Sequence, residues 1–170
     1  ADNVDEGDVG KLRMTLARLL KVESTQGEAK LLVSDVDQGD IDKILTVPAG
    51  KVWHISGMMV RFESSATSGA RILLAQFRTA AGLAIMSWQP GLSTPQPASK
   101  KYEYNFMPGA GHLSTAVHGG HTPDLDNVDI PMPSPFVMGA GYNMRFRELD
   151  SVDASNDDML IHIFGMEASI

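Results

Sequence analysis

A turn leads into a long run of alternating side chains in the segment Pro48-Ala49-Gly50-Lys51-Val52-Trp53-His54-Ile55-Ser56-Gly57-Met58-Met59-Val60-Arg61-Phe62. A period of two residues is that of a β-strand, whose successive side chains point to opposite faces of a sheet. One predicted face carries Val52, His54, Ser56, Met58, Val60 and Phe62, and the other carries Trp53, Ile55, Gly57 and Met59. Both faces are rather apolar, so we expect a strand that is covered on both sides, in a two-sheet sandwich or at a subunit contact.

The same alternation predicts further strands along the chain. They are residues 71–78, 84–88, 101–106, 142–147 and 159–166. We expect the first two to form a hairpin and the last two to pair across the turn from Asp150 to Asp158. Sixteen glycines and nine prolines separate these short segments. The sequence therefore predicts an all-β protein, an antiparallel β-sandwich or jelly roll with long loops and an N-terminal arm.

A single domain accounts for most of the chain, because 170 residues are enough to bury one hydrophobic core. We expect an acidic tail over residues 1–10 and the β-sandwich domain over residues 11–170. Within residues 11–34 the pattern leaves two structures open. Leu12, Leu16 and Leu19 fit a short helix, whereas two similar apolar runs on either side of residues 24–27 fit a hairpin, which we favour.

The overall charge bears on the partners of the chain. The formal net charge is −7, so an acidic nucleic-acid backbone would be repelled, and direct nucleic-acid binding is disfavoured. No apolar run approaches the ~18 residues that span a bilayer, and the acidic start is unlike the basic start of a signal peptide. We expect a soluble protein without a membrane partner. The absence of cysteine excludes disulfides and thiolate metal sites.

Two stretches, residues 89–100 and 107–135, are rich in Pro, Gly, Ser and Thr and are predicted to be long loops. The second contains His112, His118 and His121, and three imidazoles are a ligand set that suits zinc. The glycines at 119 and 120 make this segment flexible, however, and ligands are usually presented by a rigid element. Exposed loop histidines are therefore the simpler interpretation, and the three remain candidate metal ligands.

Aspartates form a second candidate metal site. Asp150, Asp153, Asp157 and Asp158 supply hard oxygen ligands of the kind that calcium prefers. The spacing departs from the EF-hand loop, since it has no glycine at the sharp turn and no terminal glutamate. Aspartate also favours turns because its side chain bonds to nearby backbone groups, so a solvated turn is the simpler interpretation.

Catalytic motifs are missing from the sequence. There is no Gly-x-Ser-x-Gly elbow, no phosphate-binding glycine loop and no cysteine nucleophile. His54 and His162 lie in predicted strands without an adjacent histidine or carboxylate. We therefore expect no enzyme, no catalytic residue and no cofactor. Trp53 could anchor a subunit contact, because aromatic anchors dominate protein interfaces, and Met58 and Met59 of the same strand complete the candidate interface set.

The segment Leu45-Thr46-Val47-Pro48-Ala49-Gly50-Lys51-Val52-Trp53-His54-Ile55 resembles small virion proteins of tailed bacteriophages, in which such a stretch opens a β-strand. Ala66-Thr67-Ser68-Gly69-Ala70-Arg71 and Asn156-Asp157-Asp158-Met159 are also similar to that group. The resemblance covers residues 30–170 in outline, and only the first motif is distinctive. It implies a β-sandwich or jelly-roll protein of the virion, such as a trimeric capsid decoration (cement) protein or a tail component.

The leading hypothesis from the sequence is accordingly a homotrimeric capsid decoration protein that assembles in the host cytoplasm, binds the major capsid protein or other virion proteins at the outer surface, and stabilises the shell. A second hypothesis is a tail, receptor-binding or carbohydrate-binding module that uses Trp88 and Tyr102 to stack on sugars. A third is a cupin-like metalloenzyme, which would need clustered histidine and glutamate on neighbouring strands.

Overall fold

A computed structural model describes residues 30–36, 41–89, 95–109, 118–119, 125–150 and 152–170, and these residues form eleven β-strands and no helix. The strands are β1 (Lys30–Asp35), β2 (Asp42–Thr46), β3 (Lys51–Glu63), β4 (Leu73–Arg78), β5 (Ala84–Trp88), β6 (Lys101–Pro108), β7 (His118–Gly119), β8 (Leu125–Met132), β9 (Phe136–Met138), β10 (Asn143–Glu148) and β11 (Asp158–Ser169). The described residues thus provide no helix with the length and apolarity needed to cross a membrane.

The strands form two sheets. The large sheet has the order β1-β11-β3-β6-β8-β7, with β9 also paired to β3, and the small sheet has the order β2-β10-β4-β5. Apolar side chains from both sheets make one buried cluster that includes Phe106 and Phe146, whose rings pack edge to face at 6.3 Å between centroids. The predicted all-β sandwich is confirmed.

Strand β3 is central in the large sheet, as its sequence predicts. It pairs with β11 along one edge, and with β9 and then β6 along the other. Its turn is closed by the Lys51 amide, which donates to the Pro48 carbonyl at 3.2 Å, and Gly50 adopts a φ of 72° there. Glycine has no Cβ and adopts a positive φ at little energetic cost, which explains why a glycine precedes the strand.

The face assignment within β3 needs a correction. Trp53 and Ile55 are buried, but so are Met58, Val60 and Phe62, which the strict alternation placed on the opposite face. The register with β11 explains the change, because Phe164 pairs with Gly57 whereas Gly165 pairs with Ile55. Ser56 is the extra residue of a β-bulge, which shifts the alternation by one position. The core-facing residues before Ser56 and those after it therefore belong to different alternating sets, which is why both faces look apolar in the sequence.

The predicted hairpin of residues 71–78 and 84–88 is confirmed as β4 and β5, which are antiparallel. The predicted pairing of the last two strands is wrong. β10 lies in the small sheet between β2 and β4, and β11 lies in the large sheet between β1 and β3. The connection after β10 therefore crosses from one sheet to the other, which adjacency in sequence does not reveal.

The second long loop is also partly a strand. Residues 125–132 form β8, which runs parallel to β6 with Phe106 opposite Ile130. Val128, Ile130 and Met132 are buried and alternate with polar residues and Pro131, so a period of two is present but is masked by Asp, Asn and Pro. The predicted tail at residues 1–10 and the predicted hairpin or helix up to residue 29 lie outside the described residues.

Candidate functional site

The three loop histidines are not brought together in the part of the chain that the structure describes. His118 lies in β7, where its backbone pairs with Asn127 of β8. His112 and His121 lie outside the described residues. The strand histidines His54 and His162 are on neighbouring strands, but each is opposite a methionine, Met166 and Met59 respectively.

The four candidate aspartates lie between the end of β10 and the start of β11. The Asp157 side chain is 0% exposed and pairs with Arg71. Asp153 accepts hydrogen bonds from the hydroxyls of Ser65 (2.8 Å) and Thr67 (2.6 Å). Asp158 begins β11 opposite Glu63, and Asp150 follows β10. Among the described residues no group of three or more His, Asp or Glu side chains is arranged to hold a metal ion.

A buried ion pair lies at the centre of this region. Arg71 Nε and Nη2 donate to Asp157 Oδ2 and Oδ1 at 3.0 and 3.1 Å, and Arg71 Nη1 donates to the carbonyls of Thr67 (2.7 Å) and Gly69 (2.8 Å). The carboxylate oxygen Asp157 Oδ1 also accepts a hydrogen bond from the Ser65 amide at 2.7 Å. Such complete hydrogen bonding is what a charge pair needs to remain inside a protein.

Asp153 belongs to the same network at its exposed margin. Hydrogen bonds from Thr67, Ser65 and Asn156 hold the pKa of the Asp153 carboxyl well below its usual range. The donors stabilise the ionised form because they point at the charged oxygens. This network therefore ties the connection between β3 and β4 to the connection between β10 and β11.

Two further buried polar side chains form hydrogen bonds with neighbouring connections, and the sequence pattern does not predict the role of either. Gln96 donates to the carbonyls of Phe62 (2.9 Å) and Lys100 (2.7 Å) and accepts from the Tyr104 hydroxyl (3.2 Å). Glu148 accepts from the amides of Asp150 (2.9 Å) and Val152 (3.1 Å). Because all these partners are structural groups of the chain itself, the network stabilises loops and offers no reacting group.

The candidate interface residues are distributed differently from the prediction. Trp53 and Met58 are 3% and 2% exposed, so they pack in the core of the chain and present no surface to a partner. Trp53 Nε1 donates to Glu167 Oε2 at 3.1 Å, and this bond, with that of Lys51, lowers the pKa of the Glu167 carboxyl. Met59 is half-buried and lies on the opposite face of β3.

That opposite face carries exposed apolar side chains. Phe164 of β11 is 40% exposed and pairs with Leu31 of β1, which is 48% exposed. In the next row Met166 pairs with His54, which in turn pairs with Val137 of β9, 43% exposed. We call Leu31, Val137, Phe164 and Met166 the outer apolar face. Met166 is half-buried, and His54 separates it from Val137. Exposed apolar side chains that share one surface are typical of protein interaction sites.

The two aromatic residues of the carbohydrate hypothesis are buried. Trp88 is packed edge to face against Phe136 and Phe106 in the core, with 5.5 and 6.3 Å between ring centroids. Tyr102 is buried on β6 beside Tyr104. Neither ring offers a free face to a sugar.

Comparison with protein-family models, with curated proteins and with solved structures gives no match for this chain. The fold and its surfaces define a two-sheet β-sandwich whose candidate functional feature is an interaction surface.

Proposed function

We propose that the chain is a structural virion protein, a homotrimeric capsid decoration (cement) protein that binds the outer capsid surface and stabilises the shell. The observation that carries this proposal is the outer apolar face, where Phe164, Leu31 and Val137 are exposed on three different strands of one sheet. A rigid sheet with such a face gains free energy when a second subunit covers it, at roughly 25 cal/mol per Å² of apolar surface.

The polar network favours a structural role over a catalytic one. Among the described residues, Arg71, Asp157 and Gln96 are the polar side chains with the deepest burial, and each is engaged by groups of the same chain. An enzyme instead directs perturbed titratable groups toward a cleft.

The resemblance at residues 45–55 also supports a virion role. The two secondary motifs of that resemblance, residues 66–71 and 156–159, contain the partners of the buried ion pair, Arg71 and Asp157. In this chain the two motifs thus have a common structural role, because each supplies one half of a buried charge pair.

The carbohydrate-binding alternative is less favoured, because the two aromatic side chains that it requires on the surface, Trp88 and Tyr102, are buried.

The experiment that tests the leading proposal is co-sedimentation of the purified chain with expanded capsid shells of the virus that encodes it. We expect saturable binding and a higher temperature of shell disruption. Absence of binding to shells and to the other virion proteins would overturn the proposal.

A further inference from the structure

The outer face of the small sheet is unusually basic for this chain. Arg145 lies in the middle of β10, opposite Ile44 of β2 and Gln76 of β4. Arg147 follows two residues later on the same face, and Arg78 lies at the end of β4. We call Arg78, Arg145 and Arg147 the arginine face. The whole chain, in contrast, has a formal net charge of −7.

The Asp42 carboxylate interacts with all three of these arginines. Asp42 of β2 is bonded to Arg145, and the pKa of the Asp42 carboxyl is lowered by Arg145 and, at longer range, by Arg147 and Arg78. The other acidic residue of the four strands, Glu148, is buried and accepts from backbone amides. Within these four strands the face thus has three positive charges for one negative charge.

Two of the arginines lack a carboxylate partner in the part of the chain that the structure describes. Within the described residues, Arg78 and Arg147 form no ion pair, and Arg78 Nε donates to the Gly82 carbonyl at 2.8 Å. Ile44, beside Arg145, is 54% exposed. The surface therefore suits an extended occupant that carries several carboxylates and a few small apolar side chains.

The chain contains such a segment. Residues 2–8 read Asp2-Asn3-Val4-Asp5-Glu6-Gly7-Asp8 and include four carboxylates and one valine. The 21 residues between Asp8 and Lys30 could span about 70 Å when extended, which exceeds the ~40 Å width of a domain of this size. The segment can therefore reach the small sheet of its own chain or of a neighbouring copy.

We propose that the acidic segment Asp2–Asp8 docks on the arginine face. Oppositely charged groups bring the two surfaces together, and the guanidinium groups of Arg78 and Arg147 gain the carboxylate partners that they lack among the described residues. This docking is independent of the virion role, because it needs no other protein. The same residues that neutralise the face would also keep it from binding other acidic surfaces.

Cross-linking tests the proposal directly, because the chain has no cysteine of its own. We would combine Asp5→Cys with Gln76→Cys on the arginine face, and treat the protein with a short bismaleimide. The matched control combines Asp5→Cys with Asn105→Cys, a half-buried position of β6 in the large sheet. We expect at least a five-fold higher yield with Gln76→Cys, and a fall to the control level in 1 M NaCl, where the screening length is about 3 Å.

Neutralising the segment gives a second test. Adding Asp2→Asn, Glu6→Gln and Asp8→Asn to the Asp5→Cys, Gln76→Cys protein should reduce the yield to that of the control. A cross-link within one chain or between two chains supports the proposal and tells which copy is bound. Equal yields at Gln76→Cys and Asn105→Cys, or a yield that neither salt nor neutralisation lowers, would overturn it.

Discussion

The guanidinium of Arg71 and the carboxylate of Asp157 form a two-point ion pair, at 3.0 and 3.1 Å, with both side chains 0% exposed. The two residues are 86 positions apart in the sequence. The pair links the residues just before β4 of the small sheet to those just before β11 of the large sheet. A contact that joins two sheets and two connections in this way contributes to the uniqueness of the fold as well as to its stability.

Removing one member of this pair should be costly. We expect Asp157→Ala to lower the free energy of unfolding by about 3–5 kcal/mol, because it leaves the Arg71 guanidinium buried without a counter-charge. The matched control is Glu103→Ala, which removes the half-exposed ion pair of Arg61 and should cost about 0–1 kcal/mol. Urea unfolding followed by tryptophan fluorescence measures both, and equal losses would contradict the assignment.

Gly165 is the position where the bulge of β3 leaves no room. A Cβ on this residue would lie 2.1 Å from the carbonyl oxygen of His54 and 3.0 Å from the Cα of Ile55. Because both neighbours are backbone atoms in a central strand, we expect Gly165→Ala to destabilise the protein by about 2 kcal/mol or more. Gly57→Ala, whose Cβ would lie 3.4 Å from the Phe106 carbonyl oxygen, is the control and should cost clearly less in the same urea unfolding assay.

Acid should weaken the protein through Asp153. Its carboxyl pKa is lowered in the folded state, so the stability it contributes is present above the ordinary pKa of an aspartate, ~3.9, and is lost as the pH falls through the folded value. The carboxyls of Asp42 and Glu167 act in the same direction. We therefore expect the melting temperature to fall between pH 5 and pH 2.

The variant Asp153→Asn removes one of these titrating groups. Its melting temperature should be lower than that of the wild type at pH 7, where the charge-assisted bonds from Ser65 and Thr67 are lost, and should fall less between pH 5 and pH 2. Differential scanning calorimetry across this range measures both quantities. An unchanged pH dependence would show that the Asp153 carboxyl contributes no pH-linked stability.

The sequence predicts best the strands whose alternation is regular and uninterrupted. Lys101-Tyr102-Glu103-Tyr104-Asn105-Phe106 predicts a half-buried strand, and β6 buries Tyr102, Tyr104 and Phe106 as expected. The bulge at Ser56 could not be predicted, because the extra residue is defined only by the partner strand β11. The sheet assignment of β10 and β11 depends on a crossover, and the period-two pattern is the same for either sheet.

The candidate site depended more heavily on distant contacts. Arg71 and Asp157 each belong to a motif that is recognisable in the sequence, but nothing local indicates that the two side chains meet. Gln96 lies in a segment without periodicity, and its burial follows from a bridge between its backbone and that of Arg71. The sequence does not distinguish a core position of Trp53 from an interface position, because both kinds of aromatic residue look the same in an alternating strand. The structure places Trp53 in the core between the sheets.

We propose that the chain associates through its outer apolar face into a homotrimer, and native mass spectrometry of the Phe164→Glu variant tests this association. We expect wild-type protein to give a complex of three chains and Phe164→Glu to give monomers, because a charge on this face cannot be buried without a partner. Leu83→Glu, at an exposed apolar position of the small sheet's turn, is the control and should remain trimeric. A monomeric wild-type protein, or a Phe164→Glu variant that stays trimeric, would rule out trimer formation through this face.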